Sequence, residues 1–201
     1  MYEHVCKTPK INRAFKKIKR EDFLLPEDKS KAKINAALPI GHGQTISQPA
    51  TVAFMLELLQ PKAGDKILDV GSGSGWTTAL LAEIVGKRGK IYGIERILEL
   101  KNFGEQNISK YNFIKKGRVI IIHGDGCAGL PKYAPFDKIL VSAAAVKTPP
   151  QLLAQLKVKG RMVIPIGKQY KNQEIVLYEK TGKNKFKIEH FPGFVFVPLL
   201  S

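Results

Sequence analysis

Three glycines at alternate positions, Gly71, Gly73 and Gly75, stand between two acidic residues, Asp69 and Glu95. This is the densest spacing of ligand-binding residue types in the chain. Glycine suits a turn that needs positive φ and a ligand lying against bare backbone. The dinucleotide fingerprint G-x-G-x-x-G needs a small residue at position 76, where Trp76 stands, and no Lys-Ser or Lys-Thr follows to make a phosphate-binding P-loop. A G-x-G-x-G turn behind an acidic residue remains, suited to a ligand without pyrophosphate. Glu95 follows at about the twenty-residue reach at which an acid accepts from ribose hydroxyls. Asp69 and Glu95 together predict an acidic pocket that favours a cationic ligand.

S-adenosyl-L-methionine, a sulfonium attached to adenosine, meets these requirements, and the stretch resembles an S-adenosylmethionine-dependent methyltransferase. The plainer alternative is a tight strand-to-helix turn with no ligand.

The elements that must present these residues can be read in order. The apolar run 67–70 is short enough for a buried strand, and 77–82 opens a helix. Further strands are expected at 90–95, 119–123, 136–142 and 161–167, with helices at about 97–111 and 151–156. Two β runs, 174–180 and 186–197, flank the turn residues Thr181 to Asn184 as a hairpin. Alternating βα units ending in a hairpin predict an α/β fold, a Rossmann-like doubly wound sheet with antiparallel C-terminal edge strands. In such a sheet the loops at Gly71 to Gly75, Glu95, Asp125 to Cys127 and Ala143 to Ala145 all fall at the carboxyl ends of strands, where ligands bind. Residues 1–35 read as a short helical lead, with its helix at 11–18, and residues 36–201 as one methyltransferase domain. The stretch 38–49, with two glycines and two prolines, is expected to be an irregular binding loop ahead of a helix started by Pro49.

Composition narrows the field. Of 201 residues, 44% are hydrophobic, enough for a sizeable core. Cys6 and Cys127 lie in unrelated contexts, against a disulfide scaffold and for a reducing compartment. No apolar run is long enough to span a bilayer and the N-terminus has no signal-peptide core, so a cytoplasmic protein without membrane partners is expected. Net charge is +16, from 33 basic and 17 acidic side chains. The excess is scattered and mostly Lys, without aromatic interleaving. It reads as a solvated surface rather than a specific nucleic-acid face, and a monomer is expected. The four histidines show no metal-ligand spacing, so no metal is expected.

Beyond these features, the chain from about Arg20 to Leu199 resembles the protein-L-isoaspartate (D-aspartate) O-methyltransferases. The stretch Leu38-Pro39-Ile40-Gly41-His42-Gly43-Gln44-Thr45-Ile46-Ser47-Gln48-Pro49 is similar to that family's most specific signature. Gly124-Asp125-Gly126, Ala134-Pro135-Phe136-Asp137, Ala143-Ala144-Ala145 with Pro149, Gln155-Leu156 and Phe196-Val197-Pro198-Leu199 also match its pattern. The chain departs from it at Ala32-Lys33-Ile34-Asn35 and at Lys159-Gly160. The resemblance implies repair of damaged proteins or peptides, by methylating the abnormal α-carboxyl of isoaspartyl residues. It implies Ser47 as the active-site serine, which also contacts substrate. Gly71, Ser72, Gly73, Glu95, Asp125, Gly126 and Cys127 are implied at the cofactor, with Asp69, Gly75 and the loop residues Gln44, Thr45 and Ile46 expected beside them. The loop Ala143, Ala144 and Ala145, with Val197, is implied at the substrate cleft.

Such a reaction needs no strong base, because a carboxylate with a pKa near about 4 is already ionised at neutral pH. Ser47 is therefore expected to orient the carboxylate, with a helix N-cap ahead of Pro49 as its bland alternative. Two competing functions are a methyltransferase acting on RNA or a small molecule, and a non-catalytic cofactor-binding interaction module.

Overall fold

The computed structural model describes residues 5–168 and 171–200. A seven-stranded sheet forms the centre. Four strands expected from the apolar runs lie parallel: β3 (Lys66–Val70), β4 (Lys90–Glu95), β5 (Val119–His123) and β6 (Phe136–Val141). β7 (Leu156–Ile166) continues parallel to β6, and β8 (Gln173–Gly182) and β9 (Lys185–Phe194) close that side as antiparallel strands. The order across the sheet is β5-β4-β3-β6-β7-β8-β9. The chain therefore reverses direction of growth between β3 and β6. That gap is the switch point, and loops leaving the carboxyl ends of β3 and β6 splay apart there.

Strand alternation divides the interior into two cores. Ile67, Ile91, Leu140, Val163 and Ile175 face one side, while Leu68, Tyr92, Ile139, Met162 and Val176 face the other. The first side is covered by α1 (Pro9–Lys17), α2 (Pro49–Leu59), α3 (Trp76–Val85) and α4 (Leu98–Ser109); the second receives Leu152 of α5 (Pro150–Gln155). Near-continuous apolar strands are what a sheet buried on both faces requires. Residues 9–24 share the first core through Ile11, Ala14, Phe15, Ile18, Phe23 and Leu24. No helix among the described residues is long and apolar enough to cross a membrane.

Several boundaries differ from the sequence expectation. The stretch 38–49 is not wholly irregular: β1 (Leu38–Gly41) pairs antiparallel with β2 (Gln44–Ile46). His42 and Gly43, at φ of 54° and 68°, make the two-residue turn. Positive φ at both central positions is the turn whose twist suits a hairpin, and Pro39 is tolerated because a two-stranded ribbon leaves its donor side free. β7 begins five residues earlier than the apolar run at 161, and α1 begins at Pro9 rather than Ile11. β9 ends at Phe194, where Gly193 takes φ 96° and releases residues 195–200 as a separate strap. Beyond α1 the chain forms two short 3-10 helices, Arg20–Phe23 and Pro26–Lys31.

Candidate active site

The turn after β3 is shaped by its glycines and braced from behind by α4. Gly71 and Gly73 hold φ of 74° and 51°. A Cβ on Gly104 of α4 would lie 2.6 Å from the Gly73 carbonyl oxygen, so this helix rests directly on the turn. Asn107, one turn further along, is buried and donates from Nδ2 to the Ser74 carbonyl at 3.2 Å. Gly75 serves this packing: a Cβ there would fall within 2.8 Å of Ile108 Cδ1, and Gly75 does not line the cleft that opens above the turn.

Glu95, at the end of β4, is nearly buried and ties the turn to its own loop. Oε2 accepts from the Gly73 N–H at 2.9 Å, while Oε1 accepts from the N–H groups of Arg96 and Ile97 at 2.9 and 3.0 Å. A carboxylate offers about four acceptor sites, so one stays open toward the cleft. Asp69 behaves differently from the expected second acidic wall. It is fully buried, takes a 2.6 Å hydrogen bond from the Thr78 hydroxyl, and stands outside the lining. Burial, reinforced by the nearby Glu95 charge, raises its carboxyl to about 7. Asp69 thus holds the start of α3 against β3, and Glu95 is the acid among the described residues that line the cleft, beside Arg96.

The cleft opens over the switch point. Gln44, Thr45, Ile46, Ser47, Gly71, Ser72, Gly73, Glu95, Gly126 and Val197 all line it. Asp125 and Cys127 flank Gly126 without entering the lining, and the Asp125 carboxylate accepts from the Cys127 N–H at 2.8 Å. Burial and that carboxylate raise the Cys127 thiol, leaving it a poor nucleophile near neutral pH. Ala144 and Ala145 are buried behind the wall. Ala144 donates to the Val197 carbonyl and accepts from the Leu199 N–H, both at 2.8 Å, and Ala145 donates to Pro165. Ala144 thus moors the strap and Ala145 the end of β7, while the strap itself, through Val197, Pro198, Leu199 and Leu200, reaches the cleft. Gln173, almost wholly buried, fixes it further by bonding both backbone groups of Phe196.

Sequence reasoning did not assign roles to Arg96, Ile97, Leu100, Ser142 or the lining side of Trp76. Arg96 and Ile97 directly follow Glu95 and could have been read from that position. Leu100 carries no signal of its own, because a helical leucine looks the same whether it faces core or ligand.

A second, outer groove lies beyond the first and includes Ala37, Gln48, Thr51, Val195 and Phe196. Thr45, Ser47, Ser142, Val197 and Pro198 line both spaces and so form the neck between them. The hydroxyls of Thr45, Ser47 and Ser142 make no hydrogen bond among the described residues. Ser47 does not cap α2: its N-cap is Gln48, without a side-chain bond, and Asn35 Oδ1 takes the Ala50 N–H at 3.0 Å.

The inner cleft fits the adenosyl cofactor on these grounds: an open carboxylate site on Glu95, a bare-backbone floor at Gly71 and Gly73, and apolar walls from Ile97 and Leu100. Comparisons with known proteins agree. The family profile described as "Protein-L-isoaspartate(D-aspartate) O-methyltransferase (PCMT)" matches residues 2–201. The chain belongs to this family. The protein-L-isoaspartate O-methyltransferase of Thermococcus onnurineus is 42% identical over 199 residues, covering 99% of this chain and 89% of the relative. That of Aeropyrum pernix is 44% identical over 192 residues, covering 96% and 73%. A Plasmodium falciparum chain described as the same enzyme, crystallised with S-adenosyl-L-homocysteine, superposes with a TM-score of 0.87 at 26% identity, covering 98% of this chain and 93% of that one. The protein is thus an S-adenosyl-L-methionine-dependent methyltransferase of protein repair, acting on isoaspartyl residues.

Proposed function

We propose that the neck is where methyl transfer takes place, with Ser47 orienting the isoaspartyl α-carboxylate. Glu95, with the backbone of Gly71 to Gly73 and of Gly126, holds the adenosyl cofactor in the inner cleft. Bound there, S-adenosyl-L-methionine supplies a sulfonium-activated methyl group. The outer groove receives the peptide, and its uncharged lining lets the acceptor carboxylate shed water without facing a like charge. One carboxylate oxygen forms the new O–CH3 bond as the S–CH3 bond breaks, so no proton has to move and no base is required. Ser47 donates a hydrogen bond that aims this oxygen, and a hydroxyl does so without competing as a strong nucleophile. The gain is alignment, with reacting atoms held at roughly 3–3.5 Å.

The observation that carries this reading is the set of unengaged hydroxyls at a neck common to both spaces. Single-turnover methylation of an isoaspartyl peptide by Ser47→Ala tests it. Turnover is expected to fall by about one to two decades, at roughly 1.36 kcal/mol per decade, with cofactor affinity unchanged. A full-rate variant refutes the role of Ser47. The same assay with an ordinary aspartyl peptide and with bulk RNA should give no methyl ester and no labelled RNA. The scattered lysines support weak, salt-sensitive RNA binding only. The free thiols Cys6 and Cys127 support a reducing, cytoplasmic setting.

A further inference from the structure

Arg20 lies outside both the cleft and the groove, yet its side chain reaches the active-site serine. It starts the first 3-10 helix and is 7% exposed. Nη1 donates to the carbonyls of Ala32 at 3.3 Å and Ile34 at 3.1 Å; Nη2 donates to those of Ala36 at 2.8 Å and Ser47 at 3.2 Å. The guanidinium carbon sits 5.4 Å from the ring centroid of Trp76, which lines the cofactor cleft. No carboxylate is among these partners. Burial alone pulls the guanidinium down to about 10, so it stays charged at neutral pH.

A charge buried against four carbonyls must hold them closely, because losing any one leaves an ion poorly solvated. The Ser47 carbonyl is the one of the four that lies at the neck. The first bond of α2 runs from Val52 to Gln48, so the helix ladder leaves the Ser47 carbonyl outside it. The planar fork of arginine fixes two chain segments in one plane, which the single point of a lysine ammonium cannot do. We infer that Arg20 is a positioning residue for methyl transfer: it locks the Ser47 backbone to segment 32–36, and so sets the direction of the Ser47 hydroxyl in the neck. This inference rests on the proposed role of Ser47.

The test is a double-mutant cycle of Arg20→Lys and Ser47→Ala, read by kcat and KM for an isoaspartyl peptide, with S-adenosylhomocysteine affinity and melting temperature measured alongside. Assays are run below the lowest melting temperature. Arg20→Lys is expected to lower kcat about tenfold, with cofactor affinity within about twofold of the parent. In the Ser47→Ala background the same change should cost less than about twofold, because the hydroxyl it aims is gone. If Ser47→Ala alone keeps full rate, the reading of Ser47 fails and this inference with it. If Ser47→Ala is slow but the two losses multiply, or if folded Arg20→Lys keeps full rate, only the inference is overturned. Failure of both Arg20→Lys and Arg20→Gln to fold, even with S-adenosylhomocysteine present, assigns Arg20 to the fold and overturns it as well.

Discussion

Glu95→Gln separates the two jobs of one carboxylate. In the structure its oxygens accept three backbone N–H bonds, two on Oε1 and one on Oε2. A glutamine can keep the pair from Arg96 and Ile97 on its amide oxygen. Its amino group then faces the Gly73 N–H, donor against donor, and offers no acceptor to a ribose hydroxyl. The lost ribose bond is charge-assisted and worth about 1.5–3 kcal/mol. At about 1.4 kcal/mol per decade, the dissociation constant should rise roughly ten- to a hundredfold. The orphaned Gly73 N–H should cost the cofactor-free protein about 1–3 kcal/mol of stability as well. Titration calorimetry with S-adenosylhomocysteine and a thermal melt read the two effects separately. At saturating cofactor, turnover should stay near that of the parent, because Glu95 does not line the outer groove. An affinity within twofold of the parent would remove Glu95 from the ribose role and leave it a loop brace.

Asn35→Ala should cost about 1 kcal/mol by removing the bond to the Ala50 N–H, whereas Ser47→Ala should leave the melting temperature unchanged; equal losses in calorimetry would restore a capping role for Ser47. The Asp69 carboxyl is held protonated up to about 7, above its ordinary unfolded value near 4. The folded state therefore binds the extra proton, and this group's contribution to stability is full below about pH 4 and lost as pH rises toward 7. Asp69→Asn should flatten that part of the curve in denaturant melts across pH 4–8, and an unchanged slope would contradict the buried-acid assignment. Ser142→Ala, on the far wall of the neck from the hairpin loop, should raise KM for an isoaspartyl peptide several-fold without weakening S-adenosylhomocysteine binding. If peptide kinetics are unaffected, the acceptor carboxylate does not reach β6.

The runs at 67–70, 90–95, 119–123 and 136–142 were legible as strands because a sheet covered on both faces makes most of their positions apolar. The glycine turn and Glu95 were equally plain, since positive φ and a carboxylate at fixed reach are local demands that the residue types themselves meet. Gln44 to Ser47 came with a family signature, and they line the cleft, although the stretch around them forms a hairpin rather than a loop. Which polar residues face the ligand was not local information. Asp69 and Glu95 look alike in sequence, each at the end of an apolar strand. Asp69 points from the sheet face to Thr78 of α3, while Glu95 turns under Gly73. Gly75 was indistinguishable from its two neighbours until α4 came to rest on it. The loop Ala143 to Ala145 matched a substrate-cleft pattern, but only Ala143 reaches the lining, while Ala144 anchors the strap and Ala145 the end of β7. Arg20 and Asn35 were given no role in the sequence reading, yet both act on the start of α2 from segments before the hairpin. Spacing along the chain determined where backbone could cradle a ligand. The docking of α4, the strap and residues 20–36 onto that frame decided which side chains meet it, because burial and partner choice depend on what packs from elsewhere in the chain.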